Sequence, residues 1–399
     1  MSIPNLKKFQ PYVYYSCRQS RKRGETMQNG KKALIAMSGG VDSSVAACLM
    51  KQQGYTCMGV TMKLYDNEEI GVSSEKTCCT LKDVEDARFV AQALDMPYYV
   101  LNFKDKFEEE VIQRFVDTYI EGGTPNPCID CNHRIKFRAL MRRMEELGYD
   151  YVVTGHYARI SYDETSGKYI LKKALDSTKD QSYVLYNLTQ EQLAHTLFPL
   201  GTYEKTEARK SAEANGLLNA HKHDSQDICF VPDGDYGKFI EGYCERTGKE
   251  EEGGKFSPFE PGDFVTEDGK VLGHHKGIIH YTIGQRKGLG LSLPQPLYVC
   301  RKDLDKNKVV LAPNDRLFQD TLEAGELNFI SGEYPRGAFR CCAKIRYKQK
   351  EAPATVTPID EKRVKVVFDE PQRGITPGQA VVFYDGDQVL GGGRILRSK

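Results

Sequence analysis

Ser38-Gly39-Gly40-Val41-Asp42-Ser43-Ser44 is the stretch of sequence that decides the fold of this chain. It joins Lys32–Met37 (KALIAM), which predicts a short buried strand, to Asp42–Gln53, whose apolar positions recur on one helical face. Two glycines permit a tight turn, so the backbone N–H groups of the loop and of the helix start can converge on an anion. The stretch therefore predicts a phosphate-binding loop; a turn that merely caps a helix is the plainer alternative.

Strands and helices alternate downstream of this loop. The predicted strands are Met58–Met62, Tyr98–Leu101 and Tyr151–Thr154, and the predicted helices are Lys82–Leu94, Phe107–Glu121 and Ile135–Leu147. Such alternation is typical of a doubly wound parallel sheet, whose ligands lie at the carboxyl ends of the strands. From about Pro232 onward, short β-rich segments punctuated by Gly and Pro predict smaller β domains.

The composition excludes several classes of protein. Of 399 residues, 40% are hydrophobic and 28% are charged, as in ordinary globular proteins of two or three domains. The net charge of +1 argues against a protein that coats polyanions over its whole surface. No apolar run approaches the ~18 residues of a membrane span, so no membrane association is expected.

The basic, acid-poor residues 1–26 show no periodicity, and we expect a disordered extension over residues 1–30, outside the fold. An over-extended start before Met27 explains this extension as well as an organelle-targeting segment does. The expected location is the cytoplasm, or the mitochondrion if the extension is a targeting segment.

The glycine-rich loop lacks the lysine of a GxxxxGK[ST] phosphate loop. The ligand expected is ATP that is split between its α- and β-phosphates, with Asp42 as a candidate Mg²⁺ ligand. At this point the chain resembles the PP-loop ATP pyrophosphatases, which activate a carbonyl oxygen by adenylation and include amide synthetases and tRNA thiolases.

The cysteines discriminate among those activities. Twelve cysteines without a secretory leader indicate a reducing compartment, where cysteines are more often catalytic, metal-binding or buried than disulfide-bonded. Cys128 and Cys131 form a C-x-x-C pair directly before a basic helix, a setting that lowers a thiol pKa. Cys229 lies in a second polar segment far downstream.

Structural explanations exist for other cysteines. Half of a zinc site is one alternative for the C-x-x-C pair, with Cys78-Cys79 or Cys341-Cys342 as the other half, although adjacent cysteines rarely form a structural zinc site. Cysteines in apolar runs are expected to be buried and inert; these are Cys48, Cys57 and Cys300.

Taken together, the motifs resemble those of the bacterial-type tRNA-specific 2-thiouridylases. The resemblance runs from about Lys31 through SGGVDSS, GVTMKLY, TPNPCIDCNHRIKF, VVTGHYARI, KDQSYVLYNL, HDSQDICFV, GHHKGIIHYTIGQRKGLG, KIRYKQ and ITPGQAVVFY. It implies an α/β fold: a doubly wound parallel PP-loop domain of the adenine nucleotide hydrolase type over residues 31–231, a small central β-rich domain over 232–297 and a C-terminal β-barrel-like domain over 298–399 that contacts tRNA.

The resemblance also implies an activity. Such enzymes convert the wobble uridine in the anticodon loop of tRNA to 2-thiouridine, with ATP and Mg²⁺, by adenylating the 2-carbonyl and then transferring sulfur from a cysteine persulfide. AMP and diphosphate are released. A cysteine desulfurase or a sulfur-relay protein delivers the sulfur, and a reductant resets a disulfide between the two reacting cysteines.

Roles for individual residues follow from the same resemblance. Cys131 is the expected catalytic thiol and Cys229 the expected persulfide carrier. The residues expected to bind ATP are Ala36, Met37, Ser38, Gly39, Gly40, Val41, Asp42, Ser43, Met62 and Gly155. Those expected to face the target base are Asn126, Pro127 and Cys128. Those expected to contact tRNA are His156, Lys179, Asp180, Gln181, Arg346, Tyr347 and Gln379.

One residue departs from the family pattern. Many relatives have Asp where this chain has Cys128, so three thiols (Cys128, Cys131 and Cys229) are available. Three thiolates can hold a [4Fe-4S] cluster with one open iron, an alternative to the persulfide scheme.

Three rival functions remain open from the residues. They are a PP-loop amide synthetase, a cluster-dependent tRNA 2-thiocytidine enzyme, and an RNA- or metal-binding protein with a spent nucleotide site. Residues 336–350 carry six Lys and Arg side chains and no acid, with Tyr347 among them, which suits phosphate contacts and base stacking. A solvated edge strand gives the same pattern.

Overall fold

The computed structural model describes residues 30–66, 81–222, 228–248 and 256–397. The predicted N-terminal extension, up to residue 29, and the Cys78-Cys79 pair fall outside these ranges. Three sheets organise the described residues.

The first sheet is parallel and has the strand order β3-β2-β1-β4-β7. Its strands are β1 (Lys32–Ala36), β2 (Thr56–Lys63), β3 (Tyr98–Asn102), β4 (Tyr151–Val153) and β7 (Thr196–Leu197). β1 lies at the centre with Ala33, Leu34 and Ile35 completely buried, because helices cover both faces of a parallel sheet. The predicted doubly wound parallel domain is confirmed.

The helices of this domain pack on that sheet. They are α1 (Val41–Gln52), α2 (Leu81–Ala93), α3 (Lys104–Phe107, Glu108–Ile112 and Gln113–Ile120), α4 (Pro127–Asp130, Cys131–Ala139 and Leu140–Glu146), α5 (Gln190–Ala194) and α6 (Lys205–Ala214). The middle segments of α3 and α4 are π-helical. α7 (Tyr236–Thr247) follows this domain, and no helix in the described ranges is long and apolar enough to cross a bilayer.

A small second sheet follows, with the order β10-β11-β8-β9. Its strands are β8 (Gly262–Val265), β9 (Val271–His275), β10 (Tyr298–Asp303) and β11 (Lys308–Ala312). The central domain was expected to end at residue 297. Its sheet extends further along the chain, because β11 pairs with β8 and β10 pairs with β11.

The C-terminal strands close into a six-stranded barrel, because β12 pairs with both β15 and β17. The barrel strands are β12 (Phe318–Phe329), β13 (Phe339–Lys344), β14 (Ala352–Asp360), β15 (Arg363–Arg373), β16 (Ala380–Asp385) and β17 (Gln388–Ile395). Closure requires a glycine at Gly391, where an added Cβ would lie 2.3 Å from the carbonyl oxygen of Asn328. The predicted barrel is confirmed.

A hairpin of the first domain extends the barrel sheet. It comprises β5 (Ala158–Asp163) and β6 (Lys168–Lys173), and Lys172 of β6 pairs with Gln388 of β17. The first domain and the barrel are thus joined through a shared sheet, a pairing that the local sequence pattern did not predict.

Candidate active site

The phosphate-binding loop runs from the end of β1 into α1. Gly39 has a φ of +72°, and an added Cβ would lie 2.3 Å from the backbone carbonyl oxygen of Asp83 at the start of α2. Only glycine fits a left-handed backbone in such close contact. The position of α2 therefore fixes the course of the loop.

The first turn of α1 is arranged to receive an anion. Its N-cap is Gly40, which has no side chain to satisfy the first helical N–H groups. Gly155, after β4, lies against this turn, and a Cβ there would come within 2.7 Å of the backbone nitrogen of Ser43. The two predicted ATP-binding segments are thereby brought together across the carboxyl edge of the sheet.

Asp42 has partners that the sequence did not reveal. The Lys205 ammonium, on α6, donates to both carboxylate oxygens at 2.7 and 2.8 Å, and the Tyr157 hydroxyl donates to one of them at 2.9 Å. Lys205 thus occupies the position that a cation would take. The geometry does not favour a resident Mg²⁺ on Asp42, whose role as a metal ligand stays a prediction.

Two more residues from the segment after α6 hold the loop. Asn219 donates to the carbonyl oxygen of Gly39 and to the hydroxyl of Ser44, both at 2.9 Å. Lys222 donates to the same carbonyl oxygen at 3.2 Å and forms ion pairs with Asp83 and Asp86 of α2. Sequence analysis missed these residues and Lys205, because no local spacing connects them with the loop.

Met62 lies one residue before the end of β2, which continues to Lys63. Its side chain is partly buried and packs against two apolar clusters, one containing Leu34 and the other Phe107.

The C-x-x-C motif opens α4. Asn126 is the N-cap, and its side chain accepts a hydrogen bond from the backbone nitrogen of Cys128 at 3.2 Å, while Pro127 fills the first helical position. Cys128 is exposed, whereas Cys131, one turn later, is only 7% exposed. The two thiols of the motif thus lie in different environments.

The prediction of a lowered pKa is wrong for Cys131. Burial raises the pKa of its thiol to about 11, and the cation nearby, Lys136, offsets only part of that effect. A thiolate loses its hydration in an apolar setting, and this cost exceeds the attraction of the helix and its cations.

Cys131 belongs to an apolar cluster formed around α3 by residues such as Leu64, Phe107 and Phe230, and the partly buried Cys229 packs against the same cluster. Leu64 directly follows β2, so the cluster lies at the same sheet edge as the phosphate-binding loop. The backbone carbonyl of Cys229 accepts a hydrogen bond from Tyr65 at 2.7 Å. Cys131 is a free thiol, so the predicted disulfide with Cys229 is absent from this form.

The three candidate thiols do not form a metal site. Among the described residues, which include Cys128, Cys131 and Cys229, no group of three or more His, Cys, Asp or Glu side chains is placed to hold a metal ion. Cys128 faces outward while Cys131 is buried in the cluster. The residues therefore do not fit an iron–sulfur cluster.

The residues expected to contact tRNA lie in several settings. His156 is buried, its Nδ1 is 2.7 Å from the Thr154 hydroxyl, and burial lowers its pKa well below the ordinary value. Asp180 accepts hydrogen bonds from the backbone of Ala174 and from Ser182. Gln181 accepts one from the backbone of Tyr157 at 2.9 Å. These three side chains brace the scaffold in this form, and Lys179 adjoins them, partly exposed.

The barrel contributes the other expected contacts. Gln379 donates to the carbonyl oxygens of Thr124 and Pro125, at 2.8 and 3.2 Å, and so anchors the segment before Cys128. The charge of Cys128 also contributes to the raised pKa of Tyr347, whose main cause is burial. Tyr347 packs against the apolar cluster that includes Ile129, in the first segment of α4.

Arg346 joins the barrel to the central domain. It donates to the carbonyl oxygens of Gly374 and Ile283, at 2.7 and 3.3 Å. Burial, and after it the nearby Arg373, lower its pKa. Both guanidinium groups lie beside Gly284, where an added Cβ would be 3.5 Å from Arg373 and 3.8 Å from Arg346.

Comparison with known proteins assigns a family to this arrangement. Three family models match: the tRNA methyl transferase HUP domain over residues 31–233, the tRNA methyl transferase PRC-barrel domain over 254–313 and the aminomethyltransferase β-barrel domain over 319–395.

Curated proteins match over almost their whole length. The tRNA-specific 2-thiouridylase MnmA 2 of Caldanaerobacter subterraneus subsp. tengcongensis is 54% identical, with 93% of this chain and 99% of that protein covered. The tRNA-specific 2-thiouridylase MnmA of Acetivibrio thermocellus is 52% identical, with 92% of this chain and 99% of that protein covered.

Among solved structures, a 4-thiouridine synthetase–RNA complex with bound ATP has a TM-score of 0.35 at 21% identity, covering 55% of this chain and 52% of that one. The chain belongs to the tRNA-specific 2-thiouridylase family.

Proposed function

We propose that this chain, a tRNA-uridine 2-sulfurtransferase by its family, adenylates the 2-carbonyl of the wobble uridine with ATP and then transfers sulfur from a cysteine persulfide. One observation carries the proposal. The phosphate-binding loop after β1 and the cluster that holds Cys131 and Cys229 lie at the same carboxyl edge of one sheet. ATP-dependent adenylation and sulfur transfer can therefore act on the same base.

Adenylation makes the substitution feasible. A pyrimidine 2-carbonyl is a poor electrophile, and AMP attached to its oxygen turns that oxygen into a leaving group. The Gly40 turn of α1 and the Lys205 ammonium are placed to stabilise the departing diphosphate. Mg²⁺ that arrives with ATP would share that charge.

Sulfur transfer then requires two cysteines. The terminal sulfur of a Cys229 persulfide attacks C2, and AMP leaves with the former oxygen. The Cys131 thiolate next attacks Sγ of Cys229, the S–S bond breaks with its electron pair on the uridine sulfur, and a Cys131–Cys229 disulfide forms. In the alternative order, Cys131 attacks the persulfide first and releases sulfide, which then attacks C2. A two-electron reductant restores both thiols.

Several surface features support tRNA as the partner. A base that reacts at this edge must leave its stack, which costs little in an anticodon loop. The basic segment 336–350 includes Tyr347, which packs against the cluster that contains Ile129 of α4 and suits a stacking contact. Because Cys131 is buried, tRNA binding would have to uncover it. A cysteine desulfurase or relay protein would load Cys229, which is partly exposed.

Nucleoside mass spectrometry of tRNA tests the proposal. Cells that lack their own thiouridylase would express the wild type, Cys131→Ser, Cys229→Ser or the control Cys300→Ser, whose thiol lies in the small central sheet. We expect 2-thiouridine with the wild type and the control, and none with the other two variants. 2-Thiouridine that persists in Cys131→Ser and Cys229→Ser would refute the thiol mechanism.

The sulfur donor requires a separate arm of this experiment. If the wild type forms no 2-thiouridine in cells, purified protein supplied with tRNA, ATP and sulfide separates an incompatible donor from a wrong assignment. Formation of 2-thiouridine under those conditions points to the donor. Its absence, without release of diphosphate, would overturn the proposed function.

A further inference from the structure

Asp130 lies between the two cysteines of the motif and is paired with arginines from two directions. Its carboxylate accepts a hydrogen bond from Nε of Arg114 on α3 at 3.1 Å, and Nε of Arg134, one turn along α4, lies 3.6 Å away. Because Asp130 directly precedes Cys131, a movement of this part of α4 displaces the carboxylate and the thiol together.

The Arg114 guanidinium also reaches the barrel. Its Nη2 donates to Glu326 on β12 at 2.7 Å, and the other oxygen of Glu326 accepts from Arg394 on β17 at 3.1 Å. Arg394 donates in turn to the Thr118 hydroxyl, which donates to the carbonyl oxygen of Arg114 at 2.7 Å. The contacts form a closed ring that ties two barrel strands to α3, with Asp130 attached.

The backbone at Glu326 is adapted to this ring. Its φ is +47°, a region that side chains other than glycine rarely occupy, and the pairing of β12 with β17 shifts register between Gly325 and Asn328. A β-bulge of this kind re-aims a side chain at a local cost in strain. The regular pairing of β12 with β17 is thus interrupted where Glu326 contacts Arg114.

Stability alone does not explain the pairing of Asp130. Burial raises its pKa in spite of three nearby arginines, and a partly buried ion pair is weak support for a fold once the cost of desolvation is counted. Such pairs are better suited to fixing the relative position of two elements.

The helices around Asp130 depart from regular hydrogen bonding in two ways. The π-helical segments Glu108–Ile112 and Cys131–Ala139 pack against each other, and π-helical turns are uncommon outside functional sites. Two buried side-chain atoms of the second segment, Oδ1 of Asn132 and Nδ1 of His133, have no hydrogen-bond partner, and Arg134 holds Glu110 only through an ion pair at 3.5 Å. A shift of α4 would break no side-chain hydrogen bond at these two atoms, which lowers the cost of moving the helix.

We propose that Asp130, Arg114 and Glu326 form a relay through which tRNA bound to the barrel repositions α4 and presents Cys131. Asp130 is a positioning residue rather than a reacting one. The idea rests on the proposed function, since the barrel must receive the tRNA and Cys131 must react.

Two measurements on the purified full-length chain test the relay. The first is the rate at which iodoacetamide modifies Cys131, followed by peptide mass spectrometry, with and without a tRNA transcript. In the wild type, tRNA should raise this rate at least about fivefold, whereas in Arg114→Gln and Glu326→Gln it should change less than about twofold, as expected when a coupling is removed. The second is the kinetics of 2-thiouridine formation from ATP and sulfide.

In those kinetics, kcat should fall about tenfold or more while KM for tRNA changes less than about twofold, because a misplaced group costs rate rather than binding. The double variant should be no slower than either single variant, since both break the same relay. Arg363→Gln, which removes ion pairs on the same barrel at an exposed position, is the control and should behave as the wild type.

Other outcomes would overturn the relay. A wild-type Cys131 that is indifferent to tRNA would do so, as would relay variants that keep the wild-type response, or that lose tRNA affinity in proportion to rate. If Arg114→Gln does not fold, Arg394→Gln breaks the same ring from the barrel side. If the wild type forms no 2-thiouridine, the proposed function fails, while the modification rates still decide whether tRNA controls Cys131.

Discussion

The Lys205 ammonium donates to both carboxylate oxygens of Asp42, so a lysine on α6 lies directly beside the phosphate-binding loop. The pair is held by residues 163 positions apart, and Lys205 is only 8% exposed. A buried ammonium beside a helix start is placed to leave Asp42 and to donate charge-assisted hydrogen bonds to an arriving phosphate.

Replacement of this lysine tests that role. Lys205→Met should lower diphosphate release in the presence of tRNA and ATP about 10²-fold, because one fixed cation no longer stabilises the developing charge. Radiolabelled ATP and thin-layer chromatography measure the release. Lys210→Met, at an exposed position on the same helix, is the control. Wild-type release from Lys205→Met would exclude a role for the ammonium.

A second prediction concerns the loop backbone. Gly39→Ala should destabilise the chain by about 3 kcal/mol and abolish ATP binding, since the new Cβ would overlap the Asp83 carbonyl oxygen in a left-handed backbone. Gly148→Ala is a matched control: its φ is +69°, but nothing lies within 4 Å of the added Cβ. It should cost about 1 kcal/mol. Urea denaturation measures both, and equal losses would refute the contact with α2.

The parts of the fold that were predicted depend on contacts close in sequence. The strand, glycine turn and helix from Lys32 to Gln52 follow one another directly, and the alternation that continues to β4 gives the parallel sheet. The start of α4 carried a local signal too, since Asn126 as N-cap and Pro127 at the first helical position are typical of a helix start. That helix was nevertheless predicted to begin only at Ile135.

The parts that were missed depend on tertiary packing. Lys205 and Asn219 reach the loop only because α6 and the segment after it fold back against α1, which no spacing in the sequence indicates. The thiol motif predicted a reactive Cys131, but its environment is set by aromatic side chains such as Phe107 and Phe230. Burial is a property of the packed cluster, so the direction of the pKa shift could not be predicted from neighbouring residues.

A third prediction follows from the raised pKa of Cys131. With a pKa of about 11 in the folded chain, alkylation of Cys131 without tRNA should keep rising up to pH 10. At pH 8 its rate should be about 10²-fold below that of the chain unfolded in guanidinium, where the pKa returns towards its ordinary value. Peptide mass spectrometry after timed iodoacetamide treatment measures both rates. A plateau below pH 9 would contradict the buried environment.

The last prediction concerns Lys302 on β10, which is buried where the central domain meets the other two. Its ammonium donates to the carbonyl oxygens of Tyr281 and Gly123, and Arg397 donates to its backbone. Burial, aided by the charge of Arg397, lowers the pKa of Lys302 to about 7.

Above pH 7 the unfolded chain, with an ordinary lysine, therefore binds more protons than the folded one. Stability linked to this group rises with pH and is lost as the pH falls towards 7. The free energy of unfolding of the wild type minus that of Lys302→Met should thus increase by about 1 kcal/mol per pH unit between pH 7 and pH 9. Urea denaturation at each pH measures the difference, with Lys306→Met, exposed on the same hairpin, as the control for loss of a lysine. A difference that stays flat across this window would show that Lys302 remains charged in the folded chain.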